Sequence, residues 1–166
     1  MLLALLAWLV PLVAAAQVIG LTFDDGLDPS RNAKAESWNN RILNALEQQQ
    51  LHAIVFPALS QIGGDAGLAL IEQWAAAGHG VGNHTAHHRS LSSNKVTLKG
   101  FIADVQQADE ALHHLSTWVP MLRFPYLKEG DTREKRDGMR EWMRQHGYRA
   151  APVSIDTSDW YYNQRY

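Results

Sequence analysis

The feature that most constrains this chain is an alternation: short apolar runs that end in turn-forming residues take turns with longer segments of helical spacing. The runs VIGLTFDD, HAIVFP, HGVGNH, MLRFPY and YRAAPVSIDTSDW read as strands. Between them, Trp38, Ile42, Ala45 and Leu46 form one helical stripe with Ser30 as its expected cap. Asp65 is expected to cap a second helix that turns Ile71, Trp74 and Ala75 inward and stops at Gly78. A third carries Leu98, Phe101, Ile102, Val105, Leu112 and Leu115, and a fourth Met139, Trp142 and Met143. Such β-α repetition builds a parallel sheet with helices outside it. The 166 residues, with short linkers and no low-complexity stretch, make one domain of the α/β class.

Four of the five strands end in chemically capable residues: Asp24-Asp25, His84 to His88, Arg123 to Tyr126, and Asp156 to Asp159. In parallel barrels and open α/β sheets the site lies at the carboxyl ends of the strands, so these groups converge on one mouth. Adjacent Asp24 and Asp25 serve one site only where the strand gives way to a loop, because strand side chains alternate faces. Taken singly, each cluster also has a plain reading. Asp25-Gly26 suits a turn, Arg123 a structural ion pair, Asp156 and Asp159 Asx turns, and Trp160 to Tyr162 either core or a sugar platform.

The formal charge of −2 and the lack of a basic patch argue against a nucleic-acid partner. With no cysteine, a metal would have to be held by carboxylates and by some of the eight histidines. HTAHH sets His84 and His88 at i and i+4, one face of a helical turn and a common way to offer two nitrogens to zinc. The glutamate of HExxH is absent, which excludes that protease mechanism.

Residues 1–16, MLLALLAWLVPLVAAA, end in a small-residue cleavage pattern and read as an export signal, although no Lys or Arg follows Met1. With Val18 onward committed to a strand the run is too short for a stable membrane span, and Pro11 interrupts a core helix. Residues 17–166 are then the domain, in a periplasmic or extracellular setting.

TFDDG, HTAHH, RFPY and DTSDW, in this order, resemble the motifs of the polysaccharide deacetylases, the NodB-homology or carbohydrate esterase family 4 group. The resemblance runs over residues 18 to 162. It implies a distorted (β/α) barrel and a metal-dependent hydrolase that removes N- or O-linked acetyl groups from a polysaccharide or oligosaccharide. Carried onto this chain, it makes Asp25, His84 and His88 the ligands of a divalent metal, zinc first, with cobalt or manganese as alternatives. The metal acidifies its bound water and polarises the acetyl carbonyl. Asp24 becomes the general base, held by Arg123; the Tyr126 N–H assists at the oxyanion; Trp160 walls the acetyl or sugar. Family spacing selects His88 over His87. It leaves His87, His79, His52, His113, His114 and His146 as non-ligands.

The family's fifth motif supplies a general-acid histidine whose orienting partner would be Asp156, and no such motif follows Trp160 here. The expectation is an incomplete barrel, truncated at its C-terminal side, that binds metal but turns over slowly, since losing a general acid costs about 10²–10⁴ in rate. Two other functions fit the same residues: a small-amide or imide hydrolase of this fold, and a carbohydrate-binding relative without catalysis.

Overall fold

A computed structural model describes residues 19–163 and 165; the run 1–16 read as an export signal lies outside the described residues. Five strands, β1 (Leu21–Asp25), β2 (Ala53–Pro57), β3 (Gly80–Asn83), β4 (Trp118–Leu122) and β5 (Arg149–Ala150), form one sheet in which every neighbouring pair is parallel. Their order in the sheet is their order in the chain. Right-handed crossovers, the near-universal hand, place every connecting helix of such a sheet on the same face. The opposite face can then be covered only if the sheet curls on itself. The curl is visible in Arg123, just past β4, which reaches Thr22 and Asp24 on β1 although β2 and β3 lie between. Among the described residues the barrel does not close, as the incomplete barrel read from the sequence anticipates.

The helices are α1 (Ala35–Gln48), α2 (Leu59–Ile62), α3 (Asp65–Ala76), α4 (Leu98–Leu112), α5 (Arg133–Gln145) and α6 (Asp159–Asn163). Against the sheet they bury two apolar clusters. One is built on Leu46, Val55, Ile71, Trp74, Val81 and Leu112, the other on Leu91, Phe101, Leu122, Met139 and Met143. Trp118 packs against both. Thr97 and Thr132 cap α4 and α5 through hydroxyls that accept from the N–H of Gly100 and Lys135.

Several local expectations shift. Ser30 caps no helix; its N–H and hydroxyl both donate to Asp28 Oδ1, and α1 begins only at Ala35, after Lys34. The inward stripe of α1 is Ala35, Asn39 and Leu46 with Ile42 half-buried, while Trp38 and Ala45 face outward. The cause is Asn39, a polar residue at an inward position, which accepts from Trp74 Nε1 and donates to Gln73. Asp65 is the first helical residue of α3, with Gly64 at the cap. Gly78, at φ +80°, does end α3. β4 starts earlier than MLRFPY, and β5 is two residues long, not a strand running on to the polar end.

The β3–β4 register passes from Val81–Trp118 to Asn83–Leu122, so β4 carries extra residues around Pro120, a place where a missing N–H is tolerated. Beside this irregularity, Gly82 lies flat against the buried ring of Phe56: a Cβ there would stand 2.4 Å from its Cε1. Gly82→Ala should therefore lower stability by about 1–3 kcal/mol. Gly20→Ala, which meets nothing within 4 Å, should not. Urea midpoints of the two variants check this.

Candidate metal centre and active site

Strand β1 brings two successive carboxylates to one mouth by breaking its own alternation. Asp25 has φ +70° and Gly26 φ +93°, so the backbone turns left-handed at the last residue of the strand. Asp25 is pinned there by its carbonyl, which accepts from Ala58 N–H at 3.1 Å. Its Oδ1 then lies 3.2 Å from His88 Nε2 and 3.6 Å from His84 Nε2.

The two histidines meet without the helical turn their spacing suggested. Residues 84–90 form no helix, and both Thr85 (φ +69°) and His88 (φ +53°) are left-handed. The loop still brings the two rings within 4.8 Å, centroid to centroid. Thr85 Oγ1 accepts from His88 N–H, and Asn83 Oδ1, fully buried under the loop, accepts from Thr85 N–H. His84 Nδ1 lies 2.7 Å from the Arg123 carbonyl and must donate to it, which leaves the Nε2 lone pair facing Asp25. Burial pushes the His84 pKa down to about 4, so the ring stays neutral at ordinary pH.

Asp25, His84 and His88 offer ligand atoms that all lie within 4.8 Å of one another. Asp25 Oδ1 is buried and has no hydrogen-bond partner. A buried carboxylate oxygen facing imidazole lone pairs is unfavourable unless a cation or proton sits between them. Two ligands at about 2.0–2.1 Å from a tetrahedral ion stand about 3.3–3.4 Å apart, and the two distances from Asp25 bracket that figure. The donor set fits a divalent metal.

Arg123, 3% exposed, is the hub beneath this centre. Nη1 donates to both oxygens of Asp24 (3.1 and 3.0 Å), Nη2 to Thr22 Oγ1, and Nε to the Ala151 carbonyl. Its guanidinium lies 4.8 Å over the Phe56 ring. Burial raises the Asp24 pKa above the usual carboxylate value; the Arg123 charge opposes that rise, and Asp159 adds to it. A carboxylate so placed is aimed, ionisable and a stronger proton acceptor than a free one.

The remaining residues fall as follows. Tyr126 (φ +59°) is exposed, with its ring 4.7 Å from that of His88. Asp156 is exposed and accepts from Ser158 N–H, an Asx turn. Trp160, Tyr161 and Tyr162 are exposed on α6, not core. His79 is buried against Trp74; His52, His113, His114 and His146 lie at the surface. His87 lies outside the Asp25–His84–His88 cluster and is tied to the buried carboxylate of Asp104, a residue the sequence reading passed over. The available signal was Asp104's position on the inward face of α4, beside Phe101, Val105 and Ala108.

A family model described as polysaccharide deacetylase matches residues 13–151. The chain belongs to the polysaccharide deacetylase family. Within it, the chain is 29% identical over 143 residues to a peptidoglycan-N-acetylglucosamine deacetylase of Bacillus cereus, covering 86% of this chain and 46% of that protein. The crystal structure of the Bc1960 peptidoglycan N-acetylglucosamine deacetylase superposes with a TM-score of 0.67 at 25% identity, over 85% of this chain and 58% of that one. The catalytic domain of a peptidoglycan N-acetylglucosamine deacetylase from Eubacterium rectale shares the fold at TM-score 0.67 and 18% identity, over 88% and 67%. This deacetylase-family chain thus spans about half the length of the curated relative it matches.

Two outcomes are expected from the electrostatics. Arg123→Met should cost about 3–5 kcal/mol in urea unfolding because it strands a half-buried carboxylate, and adding Asp24→Asn should recover part of that loss. Because the folded-state pKa of His84 is depressed, the unfolded chain binds the extra proton between pH 6.5 and about 4. Its contribution is therefore intact above pH 6.5 and lost on acidification through that window, with a slope near ~1.4 kcal/mol per pH unit. Histidine NMR titration of the metal-free protein, paired with unfolding at several pH values, reads both.

Proposed function

We propose that this chain is a metal-dependent deacetylase that hydrolyses N- or O-linked acetyl groups of a polysaccharide, with Asp25, His84 and His88 holding a divalent ion, zinc first. The observation that carries this reading is the meeting of those three ligand atoms beside an arginine-held carboxylate, Asp24. When bound, a divalent ion supplies Lewis acidity, making water more acidic and an acetyl carbonyl more electrophilic. Asp24 takes the proton from the attacking water, and its raised pKa suits that task. Arg123 keeps the carboxylate turned toward the water and ionised after each proton is passed on. The Tyr126 N–H assists at the developing oxyanion, a donor worth roughly 3–4 kcal/mol in comparable sites. Trp160, exposed on α6, forms an apolar wall for acetyl or sugar. Asp156 would orient a general acid.

Family membership supports a glycan substrate, and the named relatives make peptidoglycan-type N-acetylglucosamine the first to try. An exported location, with residues 1–16 as signal and 17–166 as the domain, suits such a substrate. No helix among the described residues is long and apolar enough to cross a membrane.

A second reading is glycan binding without turnover: the exposed aromatic run Trp160 to Tyr162 on α6 offers a face for a sugar ring, whatever the chemistry beside it. The two readings separate in one assay set on N-acetylglucosamine oligomers. Under the first, acetate is released, Asp24→Asn lowers the rate by about 10²–10⁴ while metal content holds, and Asp25→Ala and His84→Ala lose the metal. Oligomer binding with no acetate released by the metal-loaded wild type would select the second.

A further inference from the structure

The pair His84 and His88 sits on a loop with two left-handed residues, so no helical hydrogen bonds hold its shape; something outside the loop has to. The backbone of this loop is held from two sides. On one, α2 donates: Leu59 N–H to the Thr85 carbonyl and Ser60 N–H to the Ala86 carbonyl. On the other, a single residue of α4 accepts both of the next N–H groups. The Asp104 carbonyl takes Ala86 N–H at 3.1 Å, and Asp104 Oδ1 takes His87 N–H at 3.1 Å. The same carboxylate oxygen also meets His87 Nδ1, which ties that ring to α4.

The Asp104 carboxylate is fully buried, and its Oδ2 has no hydrogen-bond partner; the nearest cation is Arg89 Nε at 3.6 Å. Burying a carboxyl group with one unpartnered oxygen costs free energy that the packing of α4 would avoid with a leucine at this position. A residue kept at such a cost holds something in place. We infer that Asp104 is a positioning residue for the proposed metal centre: from α4 it sets the path of the 84–88 loop, and so the separation of the His84 and His88 nitrogens. This rests on the metal reading above. It assigns to Asp104 no contact with metal or substrate.

The test uses the full chain, as wild type and as Asp104→Leu, Asp104→Asn and Leu112→Ala. The last is a core residue at the C-terminal end of α4, about two helical turns beyond Asp104, and serves as a destabilised control. Three quantities are read: melting temperature, Co²⁺ affinity by chelator competition, and the visible absorption of the Co²⁺-loaded protein, which reports ligand geometry. Hydrogen exchange at the Ala86 and His87 amides is followed without metal.

Asp104→Leu should weaken Co²⁺ binding by about 10–100-fold, the usual cost of losing an outer support of a ligand, and shift the visible bands. The His87 amide, which loses its acceptor, should exchange faster, while the Ala86 amide keeps the Asp104 main-chain carbonyl and serves as the internal reference. Asp104→Asn, which keeps one acceptor oxygen, should fall between, and Leu112→Ala should lower the melting temperature while keeping affinity and spectrum. Should Asp104→Leu not fold, Asp104→Asn decides by the same readouts. Wild-type affinity and bands in a folded Asp104 variant would overturn the inference, as would an equal loss in Leu112→Ala. In either case wild-type binding leaves the metal reading standing, whereas a wild-type chain that binds no Co²⁺ overturns both.

Discussion

The guanidinium of Arg123 is the contact on which the rest of this structure leans. Its side chain crosses the concave face of the sheet from the end of β4 to Thr22 and Asp24 on β1, passing over Phe56 of β2. Its main chain does separate work: its N–H donates to the Asn83 carbonyl, and its carbonyl fixes the tautomer of His84. One residue thus joins the first strand to the fourth, orients a carboxylate, and sets which nitrogen of a histidine faces the centre. A buried cation of this kind is tolerable only with its partners present, so fold and site share one set of hydrogen bonds.

The site also concentrates backbone strain. Among described residues other than glycine, Asp25, Thr85, His88, Tyr126 and Leu127 all hold positive φ at this mouth, out of seven such positions in all. Each left-handed residue costs on the order of 1 kcal/mol or more, and each redirects a side chain that regular structure would have sent elsewhere. Asp25 shows the use of it: two neighbours on a strand face opposite ways, and only the break lets Asp24 meet Arg123 while Asp25 meets His84 and His88.

Much of this was legible in the chain. Strand–helix alternation is strong because apolar periodicity reports which face is buried, and it placed TFDD, HTAHH and RFPY at strand ends. Where reading failed, a polar residue stood at a buried position, or a spacing had two meanings. Asn39 and Asp104 belong to inward faces of α1 and α4, yet apolar-counting passes over them and on α1 selects the stripe that holds Trp38. The i, i+4 separation of His84 and His88 suits a helical turn, but a loop held by Asn83, Thr85 and Asp104 brings the rings together equally well. β5 is shorter than the sequence predicts because β propensity continues past Ala150, whereas pairing to β4 stops there.

β1 has one further consequence. Among the described residues it is the outermost strand and pairs only with β2, and most of its residues are open to solvent. Such a strand is the first to peel away from a sheet. An ion shared between Asp25 on this margin and His84 beyond the centre of the sheet would act as a removable rivet, closing a chain loop of about 60 residues in a protein that has no cysteine to do so. Scarcity of that ion would then be felt first as loosening at the margin, before any chemistry is asked of the molecule.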